Sequence, residues 1–191
     1  MSNLDLDTLV FASPQELRDW LSRHATSSDG IWLKIAKKGS GLRSVTYQEA
    51  LDEALCLGWI DGQKRPIDDA WWLQKFTPRR RGSPWSQRNR GRAEELIAEG
   101  RMQAAGLREI EAARQDGRWD NAYAGQSTAE VPADLAAALA REPEAAAFFD
   151  TLSRGQRYSF IYRLQALKRA ETRAARVEQY VALLRDHRTL S

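Results

Sequence analysis

Thr46-Tyr47-Gln48-Glu49-Ala50-Leu51-Asp52-Glu53-Ala54-Leu55-Cys56-Leu57-Gly58-Trp59-Ile60-Asp61-Gly62-Gln63 is the stretch in which the chain changes its periodicity. Thr46 with Glu49 three residues on is a capping box. Ala50, Leu51, Ala54 and Leu55 make one helical stripe and Gly58 is the stop, which predicts a helix over about 47–57. Trp59 to Gln63 then reads as extended chain. A helix that hands over to a strand within two residues belongs to a domain in which helices cover a sheet.

Working toward the N-terminus, Lys37-Lys38-Gly39-Ser40-Gly41 is a glycine-rich loop. Before it, Ile31, Leu33 and Ile35 alternate on one face of a strand. Ser13-Pro14-Gln15-Glu16 is a second capping box with proline at the first helical position, and Leu17, Trp20 and Leu21 follow at helical spacing, predicting a helix over about 14–24. Working toward the C-terminus, Trp71 to Phe76 is a third extended segment, and Asp61-Gly62 marks a turn between or beside the last two. Ser83-Pro84 starts a helix that reaches Gly100, and a further helix over about 101–116 ends at Gly117. Trp119 to Val131 is polar and irregular, a linker. Beyond Pro132 the pattern is wholly helical, with Ser153 capping a helix through Lys168. The expectation is an α+β fold: a small antiparallel sheet with helices on one face over residues 1–125, and a C-terminal helical unit over 126–191 packed on it.

At 191 residues, 42% hydrophobic and 29% charged, the composition is that of a globular chain, not of a disordered one. Met1 to Asp7 carries acids where a secretory signal needs a basic start. No apolar run approaches the roughly 20 residues of a membrane helix, so a cytoplasmic protein is expected. The single Cys56 excludes an internal disulfide, and His24 and His187 have no zinc spacing, so neither metal nor cofactor is expected. Charge is local: residues 79–92 carry six arginines and no acid, whereas 94–150 carry 5 basic against 12 acidic groups. That partition favours a compact anionic partner over nucleic acid coated along a broad basic surface.

The arginine-rich turn is the first candidate site. Arg79, Arg80 and the helix-start N–H groups near Ser86 suit phosphate, sulfate or carboxylate, with Ser83, Ser86 and Asn89 as further donors. Alternatively, the arginines pair with the acidic region that follows. Asp61 is either a turn former or a carboxylate facing Lys37, Lys64 or Arg79. Cys56 ends a helix, where the dipole disfavours a thiolate, so it reads as structural. Trp59, Trp71, Trp72 and Trp85, among seven tryptophans, suit stacking on a flat ligand or the core. The basic run Lys168 to Arg176 reads as the solvated side of a packed helix. No phosphate loop, dinucleotide fingerprint, zinc-protease motif or nucleophile elbow is present.

Several of these segments resemble the YdeI or OmpD-associated family, also called bacteriocin-protection proteins. They are Trp32 to Lys38, Tyr47 with Glu49-Ala50, Ala54 to Gly62, Phe76-Thr77-Pro78-Arg79, Ser83 with Trp85-Ser86 and Asn89, Gly117-Arg118-Trp119, Val131-Pro132, Phe148-Phe149 and Lys168 to Arg173. Together they run through most of residues 10–185. The resemblance implies a bacterial cytosolic protein linked to resistance to bacteriocins and cationic antimicrobial peptides, and it implies no reaction. The site expected is therefore an anion site drawn from Lys37, Asp61, Arg79, Arg80, Ser83, Trp85 and Asn89, taking a small molecule or a protein partner. The alternatives are an enzyme using Asp61 as acid or base, and a nucleic-acid-binding regulator.

Overall fold

In the computed structural model, residues 6–167 and 169–190 are described. Met1 to Asp5, part of the acidic N-terminus, and Lys168, the expected helix end, lie outside them. The chain divides into two compact units, residues 1–122 and 123–191.

The first unit runs β1 (Thr8–Leu9), α1 (Pro14–His24), β2 (Ile31–Ala36), α2 (Tyr47–Cys56), β3 (Trp59–Pro66), β4 (Trp71–Pro78), α3 (Gln87–Ala98), α4 (Ala104–Gln115). The strand order is β1-β2-β4-β3. The three expected strands pair antiparallel, and β1 adds a short parallel edge to β2 that makes the sheet mixed. Two residues, Thr8 and Leu9, are too few to show an alternation, which is why this strand carries no sequence signal.

Helix starts follow their caps. Ser13 Oγ accepts from Glu16 N at 3.3 Å, and the Thr46 box closes in both directions, at 3.2 Å from Glu49 N and 2.8 Å to Glu49 Oε2. Gly58 stops α2 with φ 76° in the left-handed region, and a Cβ there would meet Ala105 O at 3.1 Å. α4 in turn approaches the end of α2 through Gly106, whose added Cβ would lie 2.6 Å from Cys56 O and 2.7 Å from Leu55 O. Leu17 and Leu21 of α1, Leu51 and Leu55 of α2, Leu96 of α3 and Ile110 of α4 pack with Ile31, Leu33, Ile35 and Phe76 in one cluster, so all four helices cover one face of the sheet.

Three local expectations are corrected. Asp61-Gly62 is not a turn: β3 continues to Pro66, and the reversal falls at residues 67–70, where Asp68 Oδ1 accepts from Ala70 N and Trp71 N at 2.8 Å each. Asp61 pairs with Phe76 but Lys64 with Gln74, so β3 holds one extra residue, a bulge. The buried Gln74 amide fills it, donating to Gly62 O at 2.8 Å. Likewise Ser83 does not start α3. Ser86 caps it, accepting from Asn89 N at 3.1 Å, while Ser83 Oγ accepts from Arg80 N at 3.1 Å and closes the preceding turn. Trp85, 1% exposed, enters the core before the helix begins, and the start is displaced accordingly. Trp119, read as the head of a linker, is also core, 4.8 Å from Trp85 and edge-on to it.

The second unit is four helices, α5 (Ala133–Ala140), α6 (Pro143–Thr151), α7 (Arg154–Gln165) and α8 (Ala170–Arg185). Leu135, Phe149, Phe160, Leu164, Tyr180 and Leu184 form its core, with Phe160 edge-on to Tyr180 at 5.1 Å. Within the basic run, Arg173 is a packing group. It pairs with Asp134 at 2.6 Å and donates to Leu164 O at 2.6 Å, fixing the start of α8 to α5 and α7. Among the described residues no helix is long and apolar enough to cross a membrane.

Candidate functional site

Trp72 stands at the centre of the site because its strand position gives it neighbours on both sides. It pairs with Ile35 in β2 and Pro66 in β3 on the helix-covered side of the sheet. The Lys64 ammonium lies 4.8 Å above its ring, within cation–π range. The end of β2 and the loop after it bring Lys37 and Lys38 alongside. Together Ala36, Lys37, Lys38, Lys64, Pro66 and Trp72 line an open pocket of about 490 Å³. Three lysines and one tryptophan thus line the pocket, and among the described residues no carboxylate does.

Away from the pocket, Trp72 meets Tyr47 at 6.2 Å, and Tyr47 leads to Asp61. The Tyr47 hydroxyl donates to Asp61 Oδ2 at 2.9 Å and the Asn89 amide donates to Oδ1 at 3.3 Å. Burial, then the negative charge of Asp61 and the bond donated to it, raise the Tyr47 phenol well above its ordinary range. It stays a proton donor at neutral pH. The Arg88 guanidinium lies 5.4 Å over the Tyr47 ring and donates to Gln48 Oε1 at 3.0 Å. A polar strip thus runs from the lysine pocket over Trp72 and Tyr47 to the Asp61 carboxylate.

The residues singled out from the sequence fall into three groups. Lys37 lines the pocket, while Asp61 and Asn89 hold one another at the far end of the strip. In the sheet register Asp61 stands opposite Phe76, and Ala36, which precedes Lys37, opposite Trp71. Five steps of strand, about 17 Å, separate those positions, so Lys37 and Asp61 do not grip one small anion together. Arg79 and Trp85 form a third group, since the guanidinium stacks on the indole at 3.5 Å, is 7% exposed and donates to Pro84 O at 3.3 Å. Arg80 and Ser83 make the adjoining turn.

The remaining arginines of the basic run are largely internal partners. Arg92 grips Asp52 through Nε at 2.9 Å and Nη2 at 2.7 Å, and also meets Glu95 and Glu99. Burial alone would raise the Asp52 carboxyl, but the hydrogen bonds from Arg92 and Gln48 outweigh it and hold the pKa below the usual carboxylate range. Beside it Glu53, 2% exposed, accepts from Arg18 at 2.6 Å and Arg101 at 2.9 Å. Burial and the Glu53 charge push the Cys56 thiol up to about 11, the opposite of an activated nucleophile. Among the described residues no group of three His, Cys, Asp or Glu is placed to hold a metal ion.

Sequence alone marks Lys64, Trp72 and Tyr47 only as a charge near Asp61, an aromatic and a motif position. The β3–β4 register joins Lys64 to Trp72, with Lys64 opposite Gln74 and Pro66 opposite Trp72, and the bulge sets that register, while Tyr47 reaches Trp72 from α2 by ring contact.

Residues 9–109 match a family model described as a domain of unknown function (DUF8412). Residues 128–187 match one described as bacteriocin-protection, YdeI or OmpD-associated. The pocket and the strip lie wholly within the first match, and the second falls within the helical unit. No curated protein and no solved structure matches the chain.

Proposed function

We propose that this chain, which belongs to the family of domains of unknown function matched over residues 9–109 and carries a YdeI/OmpD-associated segment over 128–187, binds a small anion with a flat apolar part. The site is the pocket of Lys37, Lys38, Lys64 and Trp72. The observation that carries this reading is the lining itself, three lysines with an indole over which the Lys64 ammonium lies, and no carboxylate among the described residues of the lining. An anionic group would replace water around the lysines, and a planar ring or unsaturated chain would lie on Trp72 where Lys64 now does. The pocket is open, and its described lining is lysine, alanine, proline and tryptophan, a set that suits holding an anion against an aromatic ring.

The bacteriocin-protection description of the model matched by the tail supports a contribution to resistance to bacteriocins, and on our reading that role extends to antimicrobial peptides and is exerted within the cytoplasm. A cationic peptide would be repelled by this pocket, so on this reading protection acts through an anionic ligand and not through capture of the peptide.

The test is a thermal-shift screen of phosphates, nucleotides and aromatic carboxylates on the full chain. A ligand at about 100 times its Kd stabilises by roughly 2.7 kcal/mol, a rise of about 5–10 °C. The shift is lost in Lys64→Ala and in Trp72→Ala and is kept in Arg79→Ala at that variant's own Tm. A shift that disappears in Arg79→Ala and persists in Lys64→Ala would move the site to the arginine turn.

A further inference from the structure

The opposite face of the sheet carries a second basic and aromatic surface. In the register, Trp32 stands opposite Lys75, and Lys34 and Arg65 both stand opposite Leu73. These residues therefore point away from the face on which Ile31, Leu33 and Phe76 meet the helices. Trp71 joins them, since it stands opposite Ala36 and two residues from Leu73. The one acid in the four strands, Asp61, stands opposite Phe76 and so belongs to the helix-covered face.

Trp32 is 4% exposed, yet among the described residues it belongs to neither hydrophobic cluster. Two cations lie over it, the Arg65 guanidinium at 4.5 Å from the ring centroid and the Lys75 ammonium at 6.0 Å. Trp71, half-buried, has the Lys34 ammonium over it at 4.5 Å. Each indole is thus covered by a long side chain that can swing aside while keeping its charge beside the ring. Four strand positions separate Trp32 from Ala36, the partner of Trp71, so the two rings stand about 13 Å apart along the strands. Separate bases would occupy them.

We propose that this face binds single-stranded nucleic acid, with one base stacked on Trp71, a second on Trp32 once Arg65 has moved off it, and the intervening phosphates on Lys34, Arg65 and Lys75. Stacking needs an exposed base face, which a duplex hides and a single strand offers. An acidic peptide would satisfy the cations but make no use of two aligned indoles. The site is distinct from the Trp72 pocket: in the register Trp72, Lys64 and Pro66 stand on the helix-covered side, and of the strand residues lining that pocket only Ala36 stands on this face.

The experiment is fluorescence anisotropy of labelled single-stranded 12-mers of DNA and RNA, with a duplex of the same length and polyglutamate as competitors, on the full chain at low salt. Single strands bind, and Trp71→Ala weakens them about tenfold, whereas Trp71→Phe retains most of the affinity. Far-UV circular dichroism of Trp71→Ala establishes that it is folded. The double variant Lys34→Ala/Arg65→Gln, at surface positions, flattens the slope of log K against log salt by about 1.4, or about 0.7 for each phosphate that is no longer neutralised. Arg80→Ala/Arg81→Ala, away from this face, leaves binding nearly unchanged. A preference of RNA over DNA or the reverse identifies the natural strand. The proposal is overturned by absence of binding at low salt, by duplex or polyglutamate competing as well as single strands, or by full affinity in both Trp71→Ala and the double variant.

Discussion

The guanidinium of Arg79 lies 3.5 Å from the centroid of the Trp85 ring, both side chains buried, at the turn that joins β4 to α3. A desolvated cation–π contact is worth about 2 kcal/mol, and here it is joined by the bond from Nη1 to Pro84 O. Arg79→Ala is therefore a stability variant. Urea unfolding should show a loss of about 2–3 kcal/mol, part of it from the lost packing, and ligand affinity of the Lys64 pocket should stay unchanged.

The ion network of α2 makes a separate prediction. Glu53 is 2% exposed and is met by two arginines that are about one-third exposed on their side chains. Glu53→Gln keeps the shape but removes the charge that both guanidinium groups face, and it should cost on the order of 2–3 kcal/mol, below the 3–5 of a fully buried pair. Equilibrium unfolding at pH 7 measures it.

Asp52 gives a share of the pH dependence, with Glu99 and Asp134, whose carboxyls arginines also hold low. The folded pKa of Asp52 is lowered, so the unfolded chain binds protons first as pH falls. The stability it contributes is fully present above its unfolded pKa of about 3.9 and is lost as pH falls through the lower folded value. Asp52→Asn should flatten that acid limb of a Tm-against-pH curve while lowering the plateau at pH 7. An unchanged limb would place the acid sensitivity elsewhere.

Gly106 tests how α4 meets α2. An alanine Cβ would lie 2.6–2.7 Å from two backbone oxygens, which cannot yield as a side chain can. Gly106→Ala should destabilise by about 1–3 kcal/mol through overpacking, although the same change in a free helix stabilises it by about 0.5–1 kcal/mol. Denaturant titration decides the sign.

Cys56 is buried with a thiol pKa pushed up to about 11, so thiolate is scarce at neutral pH. A thiol reagent at pH 7.5 should leave the folded protein unlabelled over hours and label it within minutes in denaturant. Rapid native labelling would contradict both the burial and the structural role.

Much of the first unit was legible in the sequence because its signals are local. Ser13, Thr46 and Gly58 mark helix ends by groups within four residues of themselves, and Ile31, Leu33 and Ile35 mark a buried strand face. Pairing was legible only where the strands are long. The two-residue β1 was invisible, and the bulge at Asp61–Lys64 looked like a turn because Asp-Gly is a turn dipeptide and the Gln74 amide that fills the bulge lies a strand away. The site suffered from the same limit. Six arginines in a row of 14 residues suggested an anion site, yet Arg79 stacks on Trp85 and Arg92 serves Asp52, a residue 40 positions earlier. Lys37, Lys38 and Lys64 come from two separate elements, and only the register that puts Pro66 beside Trp72 assembles them.

The measurement that bears most directly on the account is isothermal titration of the strongest anion from the thermal-shift screen against the parent chain, Lys64→Ala and Trp72→Ala. Binding at one site per chain is predicted, with each substitution weakening it about tenfold or more and the Lys64 effect shrinking as salt is added. Equal affinity in all three proteins would contradict the pocket as the site.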